Sequence, residues 1–169
     1  IVSNRYDPDP RVHKEALSLT HAGHSVRVLA FDRQHELNKG IEIIEGVEIE
    51  RIRLQQKVPY GGLLSTAWGL RRFRKIARKR LLDKPADVVH CHDQDTCDVG
   101  RWWQRLGRGK FVFDAHDLYW TWLRLPNPNS IMRRLGAVIL KRRDRRYARY
   151  ADMVIVGTKG DGDFVGFYE

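Results

Sequence analysis

Ala86-Asp87-Val88-Val89-His90-Cys91-His92-Asp93, answered by Lys110-Phe111-Val112-Phe113-Asp114-Ala115-His116-Asp117, is the stretch that decides how this sequence folds. Each half begins as an apolar run of strand length and ends in a His-Asp pair. Between them, Thr96 to Leu106 reads as a short helix. A strand–helix–strand unit is a crossover, and a crossover implies a parallel pair of strands. Open parallel sheets take their ligands at the carboxyl ends of the strands, where both His-Asp pairs stand.

Working outward, the same alternation continues. Ile1-Val2-Ser3 reads as the tail of a strand. Asp9 is placed to cap the following helix and Pro10 suits its first turn, where a missing N–H costs nothing. Val12, Ala16 and Leu19 follow at helical spacing, and Gly23 ends the helix. Ser25 to Phe31 is a strand, and Glu42 to Arg53 a strand preceded by a turn or short hairpin. A helix of about 20 residues follows Pro59 and ends near Asp83. Beyond Asp117, residues 117–129 read as a loop rich in Trp, Pro and Asn. Ser130 to Tyr150 is then a helix and Met153 to Val156 a last strand. No repeat or linker interrupts the pattern. The expected fold class is α/β: one Rossmann-like, doubly wound domain over residues 1–169, with a mostly parallel sheet.

The length of 169 residues supports a core without staples. No apolar run approaches a membrane span, and IVSNRYDPDP is not a signal peptide. The chain starts without Met, which reads as a fragment of something longer. Cys91 and Cys97 are too few for a disulfide scaffold and read as reduced thiols of a cytoplasmic protein. Charge is the outlier: 31 Lys+Arg against 21 Asp+Glu, a net +10. Residues 71–80 contribute +7 and residues 133–149 another +7, leaving −4 for the rest. Two basic helices thus ride on a mildly acidic domain, and the excess invites a polyanion.

Three polar clusters fall at strand ends. Asn4 to Arg11 lacks the G-x-G-x-x-G of a dinucleotide site. His90-Cys91-His92-Asp93 and Asp114-Ala115-His116-Asp117 are the others. His116, beside Asp117 and level with His92, is the leading candidate for substrate contact. Asp114 and His90 are expected to point the other way and to be structural. A metal-dependent hydrolase using His92 and His116 is one alternative, although Gln94 and Asp95 break the H-x-H-x-D-H spacing of metallo-hydrolases. No metal is assigned.

These pieces, in order, resemble the N-terminal domain of the GT-B fold glycosyltransferases of family 4, also called group 1. They are Asp9-Pro10-Arg11-Val12 with Glu15-Ala16; Ala22-Gly23-His24-Ser25-Val26; Gly46-Val47-Glu48-Ile49; the two strand-and-histidine motifs; and Ala151-Asp152-Met153-Val154-Ile155-Val156. The resemblance implies a retaining, metal-independent transfer of sugar from a nucleotide-sugar donor to a saccharide or lipid-linked acceptor. It makes this chain the acceptor-side half. The donor belongs mainly to a C-terminal domain beyond Glu169, without which the half is expected to be inactive. No cofactor is implied beyond the nucleotide-sugar co-substrate. By the same resemblance His116 is the catalytic-site histidine at the donor sugar. His92, Asp93 and Asp117 line the substrate cleft, and Asp9 and Arg11 lie by the acceptor. Where many members carry a glycine-rich loop, Tyr6-Asp7-Pro8-Asp9-Pro10 stands, so no phosphate contact is carried over from that loop.

On a helical wheel from Leu63, residues Ala67, Leu70, Phe73, Ala77 and Leu81 form a core stripe. Arg71, Arg72, Lys75, Arg78 and Lys79 gather opposite it with Leu64 and Trp68, and Arg74 sits on the core side with its stem free to snorkel. Cations interleaved with Trp and Leu suit an anionic membrane surface, so a peripheral position on the inner face of the cell membrane is expected. In the second basic helix Arg142, Arg146 and Arg149 share the face of Ile131, Leu135 and Val138, so the helix either bends or carries its second half out of the core. Trp120 and Trp122 suit sugar stacking or lipid contact. The remaining alternative is a nucleic-acid or anionic-surface module built on the two basic helices. Nucleic acid is not the expected partner, because no helix-turn-helix, RNP or zinc signature appears.

Overall fold

The computed structural model describes residues 1–37, 40–59, 62–124, 129–156 and 168, without the side chains of Leu63, Tyr119, Trp122 and Arg124. The chain divides into two compact units, Ile1–Pro85 and Ala86–Glu169.

In the first unit Asp9 caps α1 (Pro10–His21): its Oδ1 accepts from the backbone N–H of Arg11 and Val12, and Pro10 takes the first turn. α1 stops at Gly23, whose φ of 88° is one that a side chain would resist. β1 (Arg27–Phe31) pairs parallel with β3 (Val47–Ile52), and β2 (Ile41–Ile44) joins β3 antiparallel. The hairpin sequence anticipated before β3 is therefore present. Its two-residue turn, Glu45-Gly46, has φ of 49° and 84°, the double left-handed geometry that matches the twist of paired strands. The strand tail at Ile1–Ser3 survives as a parallel bridge from Val2 to Ala30.

Every residue of β1 after Arg27 is buried, because both faces are covered. Val28 and Ala30 join Val2, Tyr6, Val12, Ala16, Val47 and Ile49 in one core cluster. On the other side Phe31 stacks on Phe73 of α2 (Leu63–Asp83), with ring centroids 4.8 Å apart. Leu70, Phe73, Ala77 and Leu81 are buried as the wheel requires. Ala67 is not: it is exposed, because α2 seats its first turns through Gly69 against Val58 instead.

In the second unit β4 (Val88–His92), β5 (Lys110–Ala115) and β6 (Met153–Val156) form a parallel sheet in that order. α3 (Cys97–Arg105) makes the first crossover. It approaches so closely that a Cβ on Gly100 would stand 2.3 Å from the Phe111 ring and 2.8 Å from Cys91 Sγ. Cys91 and Cys97 are buried free thiols. The segment expected to be a loop contains a helix, α4 (Tyr119–Arg124), so that expectation fails over those six residues. Apolar and aromatic residues at 118, 120 and 123 gave α4 something to bury, and Leu123 packs at Gly136 of α5 (Ile131–Tyr150).

The second basic helix corrects the sequence reading further. Ile131, Leu135 and Val138 are all exposed, while Ala137, Asp144 and Tyr147 face inward. Polar contacts to α3 and to the turn before it explain the rotation. Tyr147 donates its hydroxyl to Asp98 at 2.6 Å, and Arg143 pairs with the same carboxylate at 2.9 Å. Gln94 donates to the Leu140 carbonyl at 2.7 Å. Among the described residues no helix is long and apolar enough to cross a membrane.

Candidate functional site

The site grows from the register of the second sheet. His92 is the Cα partner of Asp114, so the last residue of β4 lies beside the carboxylate of β5. Two residues on, and so on the same face of the extended chain, comes His116. His92 Nδ1 donates to Asp114 Oδ2 at 2.8 Å. His116 Nδ1 stands 3.7 Å from Asp114 Oδ1, and its Nε2 makes a 3.0 Å ion-pair contact with Asp93 Oδ2. Asp93–His116–Asp114–His92 is thus one continuous chain of carboxylates and imidazoles. His90 continues it outward, with its ring stacked on His92 at 4.4 Å.

This arrangement overturns the expectation that Asp114 and His90 point away. Alternation along a strand places residues i and i+2 together, so Asp114 belongs with His116 and His90 with His92. Asp114 is the member that sequence reasoning misassigned, and the parallel register was the signal for it. Its burial alone would raise the pKa, but the His116 and His92 imidazoles beside it outweigh that. They hold the carboxyl well below the usual carboxylate range. The ionised carboxylate fixes His92 Nδ1 as a donor and so orients that ring, while it faces His116 Nδ1 from 3.7 Å as a counter-charge.

Support comes from the turn after β4. Asp93 adopts φ 64°, the left-handed region that a non-glycine residue occupies only when its surroundings hold it there. Its N–H donates to the Asp114 carbonyl at 2.9 Å. Thr96 Oγ1 donates to the carbonyls of His92 and Asp93 at 2.8 and 3.1 Å, and Cys97 Sγ to that of Asp93 at 3.3 Å. Burial pushes the Cys97 thiol up, so it remains a neutral donor. His92 and Asp114 are enclosed, whereas His116 and Asp117 keep partial access to solvent.

Asp93, His116 and Asp117 offer ligand atoms within 4.8 Å of one another, which is a spacing a cation could use. The direct Asp93–His116 contact already satisfies two of the three. His92 gives its Nδ1 to Asp114, an arrangement in which Nε2 would be the nitrogen turned to a cation.

Asp144 is a second group the sequence did not single out for the site. It is fully buried, and desolvation, only partly offset by Gln94 and Tyr168, pushes its carboxyl up to about 6. Asp9 and Arg11 belong to the first unit. There Asp9 spends its carboxylate on capping and on Asn4, whose amide donates at 2.9 Å. The loop that carries them is shaped by Tyr6, which has φ 53° and a completely buried ring. Arg51 holds it from β3, donating to the carbonyls of Arg5 and Tyr6 at 3.1 Å each. Trp120 is half-buried with the Lys141 ammonium 4.8 Å from its ring centroid; the Trp122 side chain lies outside the described residues.

Alternating strands and helices with paired histidines at parallel strand ends define a Rossmann-like half of the GT-B glycosyltransferase type. The sequence model described as Glycosyltransferase Family 4 matches residues 11–164, and the chain belongs to that family. Two solved structures of sucrose-phosphate synthase from Thermosynechococcus elongatus share the fold. One superposes with a TM-score of 0.67 at 16% identity, covering 93% of this chain and 41% of that one. The other gives 0.64 at 16% identity, covering 96% and 77%. The chain therefore spans about two fifths of the first structure's length. No curated protein matches the sequence.

Proposed function

We propose that this chain is the acceptor-side, N-terminal domain of a retaining glycosyltransferase, residues 1–169 forming one domain. The enzyme transfers a sugar from a nucleotide-sugar donor, bound mainly by a C-terminal domain outside this chain, to a saccharide or lipid-linked acceptor. The observation that carries the reading is the Asp93–His116–Asp114–His92 chain at the carboxyl ends of parallel strands. Such an array can hold the His116 ring, with a carboxylate facing each of its nitrogens, in a fixed place at the edge of a sugar site. Its preset orientation adds stabilisation where charge develops in the transition state.

In this reading His116, the more accessible imidazole, contacts the transferred sugar. Asp93 orients its Nε2, and Asp114 holds His92 and His116 in register. Asp117 extends the polar rim, while Asp9 and Arg11 serve the acceptor. No cofactor or metal takes part beyond the nucleotide-sugar.

The test is transfer by the full-length protein across a panel of uridine, guanosine and adenosine diphosphate sugars, with anomeric configuration read by NMR. A retained product, insensitive to chelator, is expected. His116→Ala should lower kcat at least about a hundredfold with the fold intact by circular dichroism. Absence of transfer from every donor, or an inverted product, would refute the reading.

A peripheral place on the inner face of the cell membrane belongs to the same proposal. In support, α2 leaves Leu64 exposed and Trp68 43% exposed amid the solvent-facing Arg71, Arg72, Lys75 and Lys79, with Arg78 half-buried. The Arg72 guanidinium lies 5.4 Å from the Trp68 ring centroid.

A further inference from the structure

α5 carries its unusual chemistry on the outside. Ile131, Met132, Leu135, Val138 and Ile139 are between 47% and 78% exposed. Arg142, Arg145, Arg146 and Arg149 are exposed one to four turns further on, and with Tyr150 they line a shallow recess. At 100° per residue, Ile131, Leu135, Val138, Arg142 and Arg149 fall on one line, with Ile139, Arg145 and Arg146 flanking it. The helix has one acid, Asp144, and it is buried on the opposite side. One solvent face is therefore apolar for its first half and purely cationic for its second.

That face belongs to a single helix and its one recess is shallow and lined by arginines, so it offers no apolar groove to a peptide. Nucleic acid would engage the arginines but leave five large apolar side chains without a partner. An anionic bilayer engages both halves at once: the apolar side chains enter the acyl boundary and the guanidiniums meet headgroup phosphates. Topology adds a direction. α5 follows the site end of β5 and runs back towards the start of β6, which puts its apolar half at the same end of the sheet as His116.

We propose that the solvent face of α5 docks on an anionic phospholipid bilayer, with residues 131–139 in the interface and Arg142, Arg145, Arg146 and Arg149 on the headgroups. The proposal deepens the membrane-proximal reading and rests on it. It presents the histidine end of the sheet to the surface, which suits an acceptor whose lipid portion stays in the membrane.

The test is flotation of the full-length protein with vesicles of phosphatidylcholine alone or mixed with phosphatidylglycerol. Wild type should float with the anionic vesicles only. Each arginine should contribute about fivefold to the partition coefficient. Reversing all four (Arg142→Glu, Arg145→Glu, Arg146→Glu, Arg149→Glu) should abolish flotation, and Leu135→Ser with Ile139→Ser should weaken it. Thermal melts identify any variant that fails to fold, and the Leu135/Ile139 pair then tests the face without altering charge. Reversal of Arg71, Arg72 and Lys75 on α2 is the control and should leave most binding in place. Loss of flotation in the α2 variant alone would overturn the assignment to α5 while leaving the membrane reading intact. No flotation of wild type would overturn both, and the sugar-transfer assay would stand apart from either result. A dimer in sedimentation velocity, or tight duplex RNA binding, abolished by the α5 changes while flotation persists would assign the face elsewhere and overturn the proposal.

Discussion

α2 and α5 carry the same net charge in their basic stretches, +7 each, yet they sit on their sheets in opposite ways. α2 turns its apolar stripe inward and its cations outward. One of those cations, Arg80, pairs with Glu50 of β3, and another anchor, Lys84 just past the helix, reaches Glu48 at 2.7 Å. α5 turns a small residue, an acid and a tyrosine inward and leaves its aliphatic residues in solvent. An apolar stripe marks the buried face of a helix only when the opposite face offers nothing better. In α5, hydrogen bonds to Asp98 and the packing of Leu123 at Gly136 outcompete it.

Truncating the two apolar stripes should have very different consequences. Phe73→Ala on α2 removes a fully buried ring stacked on Phe31 and should cost about 3–5 kcal/mol. Leu135→Ala on α5 should stay within about 0.5 kcal/mol. Urea unfolding of both variants measures the contrast, and equal losses would mean that α5 is covered in solution.

Next in size is Asp144, the acid on the inward side of α5. Its pKa is raised from 3.8 to about 6, so its contribution to stability is complete below 3.8 and is lost as pH rises through 6. Asp144→Asn should therefore be more stable than wild type near neutrality, by an amount on the order of 3 kcal/mol, with the gain vanishing in acid. Urea midpoints across that pH range check both the sign and the window. A more modest loss is expected at Tyr147→Phe. It deletes the hydroxyl bonded to Asp98 and to Arg143, and should cost about 1–2 kcal/mol in the same assay. A neutral result there would remove the explanation given for the orientation of α5.

Most elements were legible because each carried its own punctuation. Asp9 and Pro10 start α1, Gly23 ends it, and the apolar runs before His92 and Ala115 have strand length. The family was legible in the order of several weak motifs. What sequence could not supply was pairwise. The role of Asp114 depends on which residue of β4 stands opposite it, and the facing of α5 depends on Asp98, some 45 residues away. α4 was hidden because six residues between Trp- and Pro-rich flanks show too little periodicity to register. The pairing of His92 with His116 at the strand ends was legible, but the carboxylate that joins them was not.

The loop after the first strand has a consequence for how this chain can change. Tyr6 holds a left-handed backbone by burying its ring and by the two carbonyls that Arg51 secures. A change to glycine would relieve about 1 kcal/mol of backbone strain but remove a buried aromatic worth roughly 3–5 kcal/mol. The glycine-built and tyrosine-built versions of this loop are then separate solutions, each sound and joined only through a weaker intermediate. A lineage that enters one is held there, and the side chains displayed around that loop are inherited with it.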